Sequence, residues 1–159
     1  MKTKLCFLLL AVCLTAGCTR TARLYPVQGP LASQTPVPVL LAKVKIGSTS
    51  GAMSMVLSDG EICKGRWTQV PPAQVPKGSN TASLPANSMP AVWDAVYGSG
   101  FYVAHVLGSR LYAQASVSGN RGAVLNVEMY QPDRGGSATL PEIKGVAKDN
   151  KDNIYKVVL

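Results

Sequence analysis

Leu111-Tyr112-Ala113-Gln114-Ala115-Ser116-Val117-Ser118-Gly119-Asn120-Arg121-Gly122-Ala123-Val124-Leu125-Asn126-Val127-Glu128-Met129-Tyr130 reads as a β-hairpin. Leu111, Ala113, Ala115 and Val117 alternate with Tyr112, Gln114, Ser116 and Ser118, and Ala123, Leu125, Val127 and Met129 alternate with Asn126 and Glu128. A period of two sends successive side chains to opposite faces of a strand, so each run presents one apolar and one polar face. Gly119-Asn120-Arg121-Gly122 supplies turn residues between them.

The same grammar extends outward. Leu40, Ala42, Val44 and Ile46 share a phase opposite Lys43 and Lys45; Ser58-Asp59-Gly60 separates the strand-like runs 52–57 and 61–70; Asp149-Asn150-Lys151-Asp152-Asn153 precedes a final run 154–159. Asp-Gly between alternating runs is a strong hairpin signal. Gly47-Ser48-Thr49-Ser50-Gly51 reads as a further turn, since Thr49 stands where a nucleophile elbow requires serine. The fold class predicted is mainly β: a single antiparallel domain of seven or eight strands, closed as a small barrel or sandwich. It occupies residues 39–159.

Two segments depart from the pattern. Residues 71–90 contain Pro71, Pro72, Pro76, Pro85 and Pro90, which forbid regular pairing and predict a long loop. Ala91-Val92-Trp93-Asp94-Ala95-Val96-Tyr97 then has helical content and stops at Gly98-Ser99-Gly100, predicting one short helix. Residues 18–38 read as a partly extended tether, whose first half has the alternation of a strand at Ala22, Leu24 and Pro26.

At the start of the chain, Lys2 and Lys4 precede an uncharged, mostly apolar run from Leu5 to Ala16, then Gly17-Cys18. The run falls short of the ~20 apolar residues that span a bilayer and has the layout of a secretory leader. Leu14-Thr15-Ala16-Gly17-Cys18 resembles the lipobox of bacterial lipoproteins, with Thr15 where that motif more often carries a bulky aliphatic residue. The resemblance implies that residues 1–17 are a signal peptide, that Cys18 is the lipidation site, and that the mature chain begins there. It also implies a diacylglyceryl group, usually with a further N-acyl chain such as palmitate. Two or more chains anchor stably where one holds only marginally. Thr19 replaces the aspartate that marks inner-membrane retention in some lipoproteins, so the expected location is the outer membrane, facing the periplasm or the surface.

Cleavage before Cys18 removes Cys6 and Cys13, and leaves Cys63 as the one cysteine of the folded part. No intramolecular disulfide is then expected once Cys18 is acylated, and Cys63, in phase with Trp67, is expected to be buried. Removing Lys2 and Lys4 from 16 basic residues leaves 14 against 8 acidic, a net charge of +6. These charges are dispersed, and export removes the chain from nucleic acid, so no nucleic-acid partner is expected.

Catalytic patterns are sparse. His105, the single histidine, has no serine, cysteine or carboxylate at a recognised spacing and reads as structural or superficial. One histidine and one free cysteine do not make a zinc site. Asp149 and Asp152 lack the alternating oxygen ligands of a calcium loop. No phosphate-binding loop occurs. The expectation is therefore no catalytic residue, no metal and no cofactor.

The end of the chain carries a second resemblance. Ser118-Gly119-Asn120-Arg121-Gly122, Lys144-Gly145-Val146-Ala147-Lys148-Asp149-Asn150 and Asn153-Ile154-Tyr155-Lys156-Val157-Val158, with Asp59-Gly60-Glu61 and Gly65-Arg66-Trp67, look like small bacterial envelope lipoproteins to which no activity is assigned. The function expected is that of a non-enzymatic, lipid-anchored envelope protein that binds a protein or glycan partner or serves an architectural role. Trp93, Tyr97 and Phe101 are the candidate partner-binding residues, because exposed aromatics favour interfaces. Two alternatives stay open: a small-molecule or lipid carrier, which requires an internal pocket, and an enzyme, which requires His105 or Cys63 in a cleft beside polar partners.

Overall fold

The computed structural model describes residues 18–70, 88–107, 112–132 and 143–159. Eight antiparallel strands form a closed barrel in sequence order: β1 (Thr19–Gln28), β2 (Leu40–Lys45), β3 (Ser50–Val56), β4 (Ile62–Val70), β5 (Tyr112–Gly119), β6 (Val124–Tyr130), β7 (Lys144–Asp149) and β8 (Ile154–Val158). Pairing of β1 with β8, Arg23 opposite Val158 and Tyr25 opposite Lys156, completes the ring and leaves no open sheet edge. Pro26, which has no N–H to donate, stands where the β1–β8 register shifts.

Alternation decides what fills the barrel. Twenty buried residues among those described make its interior, small ones such as Ala22, Ala42, Ala115 and Ala147 beside large ones such as Met53, Trp67, Leu125 and Tyr155. An eight-stranded barrel is just wide enough for side chains to fill, and this one is filled. The segment expected to be a tether is corrected here. Ala22 and Leu24 are fully buried, so β1 is a wall strand beginning one residue after Cys18, and only the connection from Gly29 to Val39 lies outside the sheet.

Both ends follow from the meander. The β1–β2, β3–β4, β5–β6 and β7–β8 connections gather at one end, which is shut by polar groups. Asp149 accepts hydrogen bonds from the backbone N–H of Lys151 (2.9 Å) and Asn153 (2.8 Å), the Asn153 amide (2.9 Å) and the Tyr155 hydroxyl (2.7 Å). Asn153 Oδ1 in turn accepts from Leu31 N–H at 2.8 Å, so the β1–β2 connection is fastened to this end. Burial, then Asp149, push the Tyr155 hydroxyl far above its ordinary 10.0, so it remains a donor.

Beside this network, Glu61 is buried and its Oε1 accepts from Arg121 N–H (2.7 Å) and Ala123 N–H (2.9 Å). Gly119 is required here, because a Cβ would overlap Glu61 Oε1. The N–H groups of Ala123 and then Arg121 hold the Glu61 carboxyl below its ordinary 4.5. The N–H of Glu61 and then the Lys151 ammonium, 3.1 Å away, hold Asp59 below 3.8. Both groups bind protons less readily folded than unfolded, so their stabilisation is complete above the ordinary values and lost as pH falls through the depressed ones. Thermal melts are expected to be flat from neutral pH down to about 4.5 and then to drop. Glu61→Gln is expected to lower the melting temperature at neutral pH and to shrink that acid drop; an acid limb as steep as wild type's would contradict this account.

The α-helix of the described residues, α1 (Met89–Tyr97), has Pro90 in its first turn, where the missing N–H costs nothing, and ends at Gly98 (φ 109°). The expected proline-rich loop therefore ends before Met89, and its residues 71–87 lie outside the described residues. After the Gly98–Gly100 break the chain forms a π-helical turn at Tyr102–Val106, closed by Leu107 N–H to Tyr102 O at 2.9 Å. Asp94 imposes this by accepting from the N–H groups of Gly100 and Tyr102, both at 2.9 Å.

A second apolar cluster lies outside the barrel wall. Val92 and Trp93 of α1 and Val106 of the turn pack on Tyr130 and Val146, whose side chains leave the outer faces of β6 and β7.

Candidate functional site

Strands β4, β5 and β6 place six polar side chains on the outer wall in two cross-strand rows. Arg66 is opposite Ser116, which is opposite Asn126; Thr68 is opposite Gln114, which is opposite Glu128. Each is the outward member of an alternating run whose inward members fill the barrel. Together with Met89 at the start of α1 they line a groove of about 530 Å³.

One carboxylate in the groove is fixed. Glu128 is 4 % exposed, because α1 and the π-helical turn cover the strand beyond it. Its Oε2 accepts from Trp93 Nε1–H at 2.8 Å and its Oε1 from Gln114 Nε2–H at 3.1 Å. Its charge is felt by Tyr102, whose hydroxyl is pushed up first by burial and then by Glu128. Arg66, at the opposite corner, donates to Ser50 Oγ at 3.3 Å. The groove thus presents a guanidinium, two amides, two hydroxyls and an oriented carboxylate. No base among the described residues hydrogen-bonds to Ser116 or Thr68.

Trp93, Tyr97 and Phe101 do come together. Ring centroids are 5.5 Å apart for Trp93–Tyr97, 6.0 Å for Trp93–Phe101 and 4.7 Å for Tyr97–Phe101. The expectation that all three form an exposed contact patch is corrected, because Trp93 is 0 % exposed and stacks beneath the other two. A helix laid on a barrel must bury one stripe, and Trp93 is the centre of that stripe. Tyr97 and Phe101 are half-buried, and Lys156 and Lys144 lie 5.5 and 6.0 Å from the Tyr97 ring centroid. His105 is exposed and packs on Phe101 at 4.6 Å.

Cys63 lies on the other side of the wall, inside the barrel and 0 % exposed, so His105 and Cys63 share no cleft. Burial pushes its thiol upward, and thiolate is the reactive form. In the chain beginning at residue 18, with Cys18 replaced by serine, Ellman's reagent is expected to modify Cys63 only as fast as the barrel unfolds. Rapid labelling of the folded protein would contradict its enclosure. No group of three His, Cys, Asp or Glu residues among the described residues is arranged to hold a metal ion.

The end of the barrel nearest Cys18 has a smaller apolar recess of about 250 Å³, lined by Val44, Trp67, Met129 and Leu159 among others. Trp67 Nε1–H donates to Lys45 O at 2.9 Å, which holds the indole across this mouth. The recess is below the ~300 Å³ at which ligand pockets begin.

The groove residues escaped the sequence reading. Gln114, Ser116, Asn126 and Glu128 were legible only as the solvated phase of two strands. Their alignment with Arg66 and Thr68 depends on the β4–β5 register, which crosses residues 71–111. A buried Glu at Glu128 had no local signal at all.

Fold and site together define a filled eight-stranded meander barrel with a helix-walled polar groove on its outer surface. No protein-family model matches the chain, and no curated protein or solved structure matches it.

Proposed function

We propose that this chain is a lipid-anchored envelope protein that binds a partner in the groove outside β4–β6 and catalyses no reaction. The observation that carries the reading is the polar grid itself. Six hydrogen-bonding side chains converge on one concavity, with Glu128 fixed by Trp93 and Gln114 before any partner arrives. Preorganised donors and acceptors lower the ordering cost of binding. They suit a partner rich in hydroxyls or amides, such as a glycan or an extended peptide.

The anchor in this reading is Cys18, expected to carry the lipid and to hold the protein at the outer membrane. Its side chain is exposed. Its carbonyl accepts from Ile46 N–H at 2.8 Å, so an acyl group there would meet the barrel without an intervening spacer. A carrier function is the weaker reading, because twenty side chains fill the barrel below the mouth.

The test places a photoreactive residue at Ser116 or Asn126, and at Lys64 on β4 as a control outside the groove, in cells. A discrete adduct from the groove positions, absent from Lys64 and lost in Glu128→Ala, is expected. Equal labelling from all three positions, or from none, would discard the groove as a binding site. Intact mass of the wild type and Cys18→Ala decides the anchor separately: cleavage before Cys18 with an acyl adduct, abolished in the variant, is the expected result.

A further inference from the structure

Basic side chains concentrate on four neighbouring strands, although Lys64 and Arg66 also stand on the outer face of β4. The outer faces of β7, β8, β1 and β2 carry Lys144, Lys156, Arg23, Lys43 and Lys45, and also Lys148, which pairs with Asp152 at 3.8 Å. Register joins them into one surface: Lys45 lies beside Thr19, Lys43 beside Thr21, Arg23 beside both Leu41 and Val158, and Val158 beside Lys144. None of the other five ion-pairs with a described residue; Lys144 and Lys156 only flank the Tyr97 ring.

Described carboxylates lie elsewhere. Asp59, Glu61, Asp149 and Asp152 are at the shut end, Glu128 is under α1, and Asp94 caps the π-helical turn.

This surface includes the anchor position. Cys18 precedes Thr19, which pairs with Lys45. In a closed ring of eight strands β5 is diametrically opposite β1, so the basic flank and the polar groove face opposite directions. We propose that the flank formed by the outer faces of β1 and β2, continued by Lys144 and Lys156 beside α1 where it packs on β7 and β8, docks on an anionic phospholipid surface, turning the β4–β6 groove toward the aqueous side. Its orientation rests on the Cys18 anchor of the proposed function. The charge contact itself does not, since cations near an anionic leaflet attract it with or without a lipid on the protein. A phospholipid surface is favoured over other polyanions because the five cations spread over a flank rather than line a cleft, and because the chain's attachment point is at its edge.

The test uses the chain beginning at residue 18 with Cys18→Ser, which contains every strand of the barrel. Sedimentation with phosphatidylglycerol–phosphatidylcholine vesicles is compared with phosphatidylcholine alone. Binding to the anionic vesicles only, weakened by salt, is expected. Lys43→Gln with Lys45→Gln is expected to weaken it by roughly 25-fold, about five-fold per charge, while Lys64→Gln on β4 leaves it unchanged. Equal affinity for both vesicles, no binding at low salt, insensitivity to the Lys43/Lys45 pair, or preference for an anionic polysaccharide over the vesicles would each overturn the proposal. Melting curves show whether the variants remain folded. Failure of the anchor reading would appear in the intact mass and leave the vesicle result standing; failure here would leave the adduct in place.

Discussion

Trp93→Ala is expected to destabilise the protein by about 4 kcal/mol, more than any other single truncation in α1. Trp93 is fully buried between α1 and the barrel wall, and its loss opens a cavity that a nine-residue helix fixed by one apolar stripe cannot close. A second penalty adds to the first, since Glu128 Oε2 loses its Trp93 donor while still screened from water. Trp93→Phe isolates that part: the ring volume largely remains, Gln114 still serves Oε1, and a cost of about 1–2 kcal/mol is expected. Tyr97→Ala and Phe101→Ala, which remove half-buried rings, are expected to cost about 1–2 kcal/mol each. Urea unfolding followed by far-ultraviolet circular dichroism checks the series. The order Trp93→Ala, then Trp93→Phe and the two half-buried rings, follows from burial. If Trp93→Ala cost no more than Tyr97→Ala, the helix would not be seated on Trp93. The same variant should also blunt crosslinking from the groove, because Glu128 would no longer be held toward Gln114.

Different distances along the chain explain what was legible from sequence. The hairpin of β5 and β6 was written in twenty contiguous residues, and its register, Ser118 opposite Val124 through Tyr112 opposite Tyr130, is what the alternation around Gly119–Gly122 implies. Closure was different. Whether the meander ends as a barrel or a sandwich depends on β1 meeting β8, a contact across some 130 residues that alternation cannot encode. The reading of 18–38 as a tether allowed its first half to be a strand, on the alternation of Ala22 and Leu24, but gave that strand no partner, for the same reason.

The candidate site was less legible still. Asn126 and Glu128 share one polar phase on one strand, yet Asn126 is exposed and Glu128 buried. Only the seat of α1 separates them. Trp93 looked like a contact residue because aromatic content does not say which side of a short helix will face the wall. Tyr97, one turn further on, and Phe101, at the start of the π-helical turn, keep part of their surface, so only the buried member of the trio was misplaced.

Asp149→Ala is expected to cost about 4 kcal/mol, although sequence places Asp149 at the edge of a polar turn. Its carboxylate is 4 % exposed and accepts four hydrogen bonds, two of them from backbone N–H groups of the turn itself. Alanine leaves the Tyr155 hydroxyl and the Asn153 amide without their acceptor in a closed barrel end, and each stranded buried donor costs about 1–3 kcal/mol. Asn153 also holds Leu31 N–H, so the disturbance passes to the β1–β2 connection. Tyr155→Phe removes one donor and leaves Asp149 with three others, for an expected cost of about 1 kcal/mol. Asp149→Asn falls between them, since its amide keeps one accepting oxygen but meets the Asn153 amide as a second donor. Hydrogen exchange locates the effect as well as sizing it: amides of Leu31, Lys151 and Asn153 should lose protection before those of β5 and β6. Equal costs for Asp149→Ala and Tyr155→Phe would mean that water reaches this end and satisfies the freed groups, and the barrel would then be open where the structure closes it. The expected inequality makes the sealed end the rigid one.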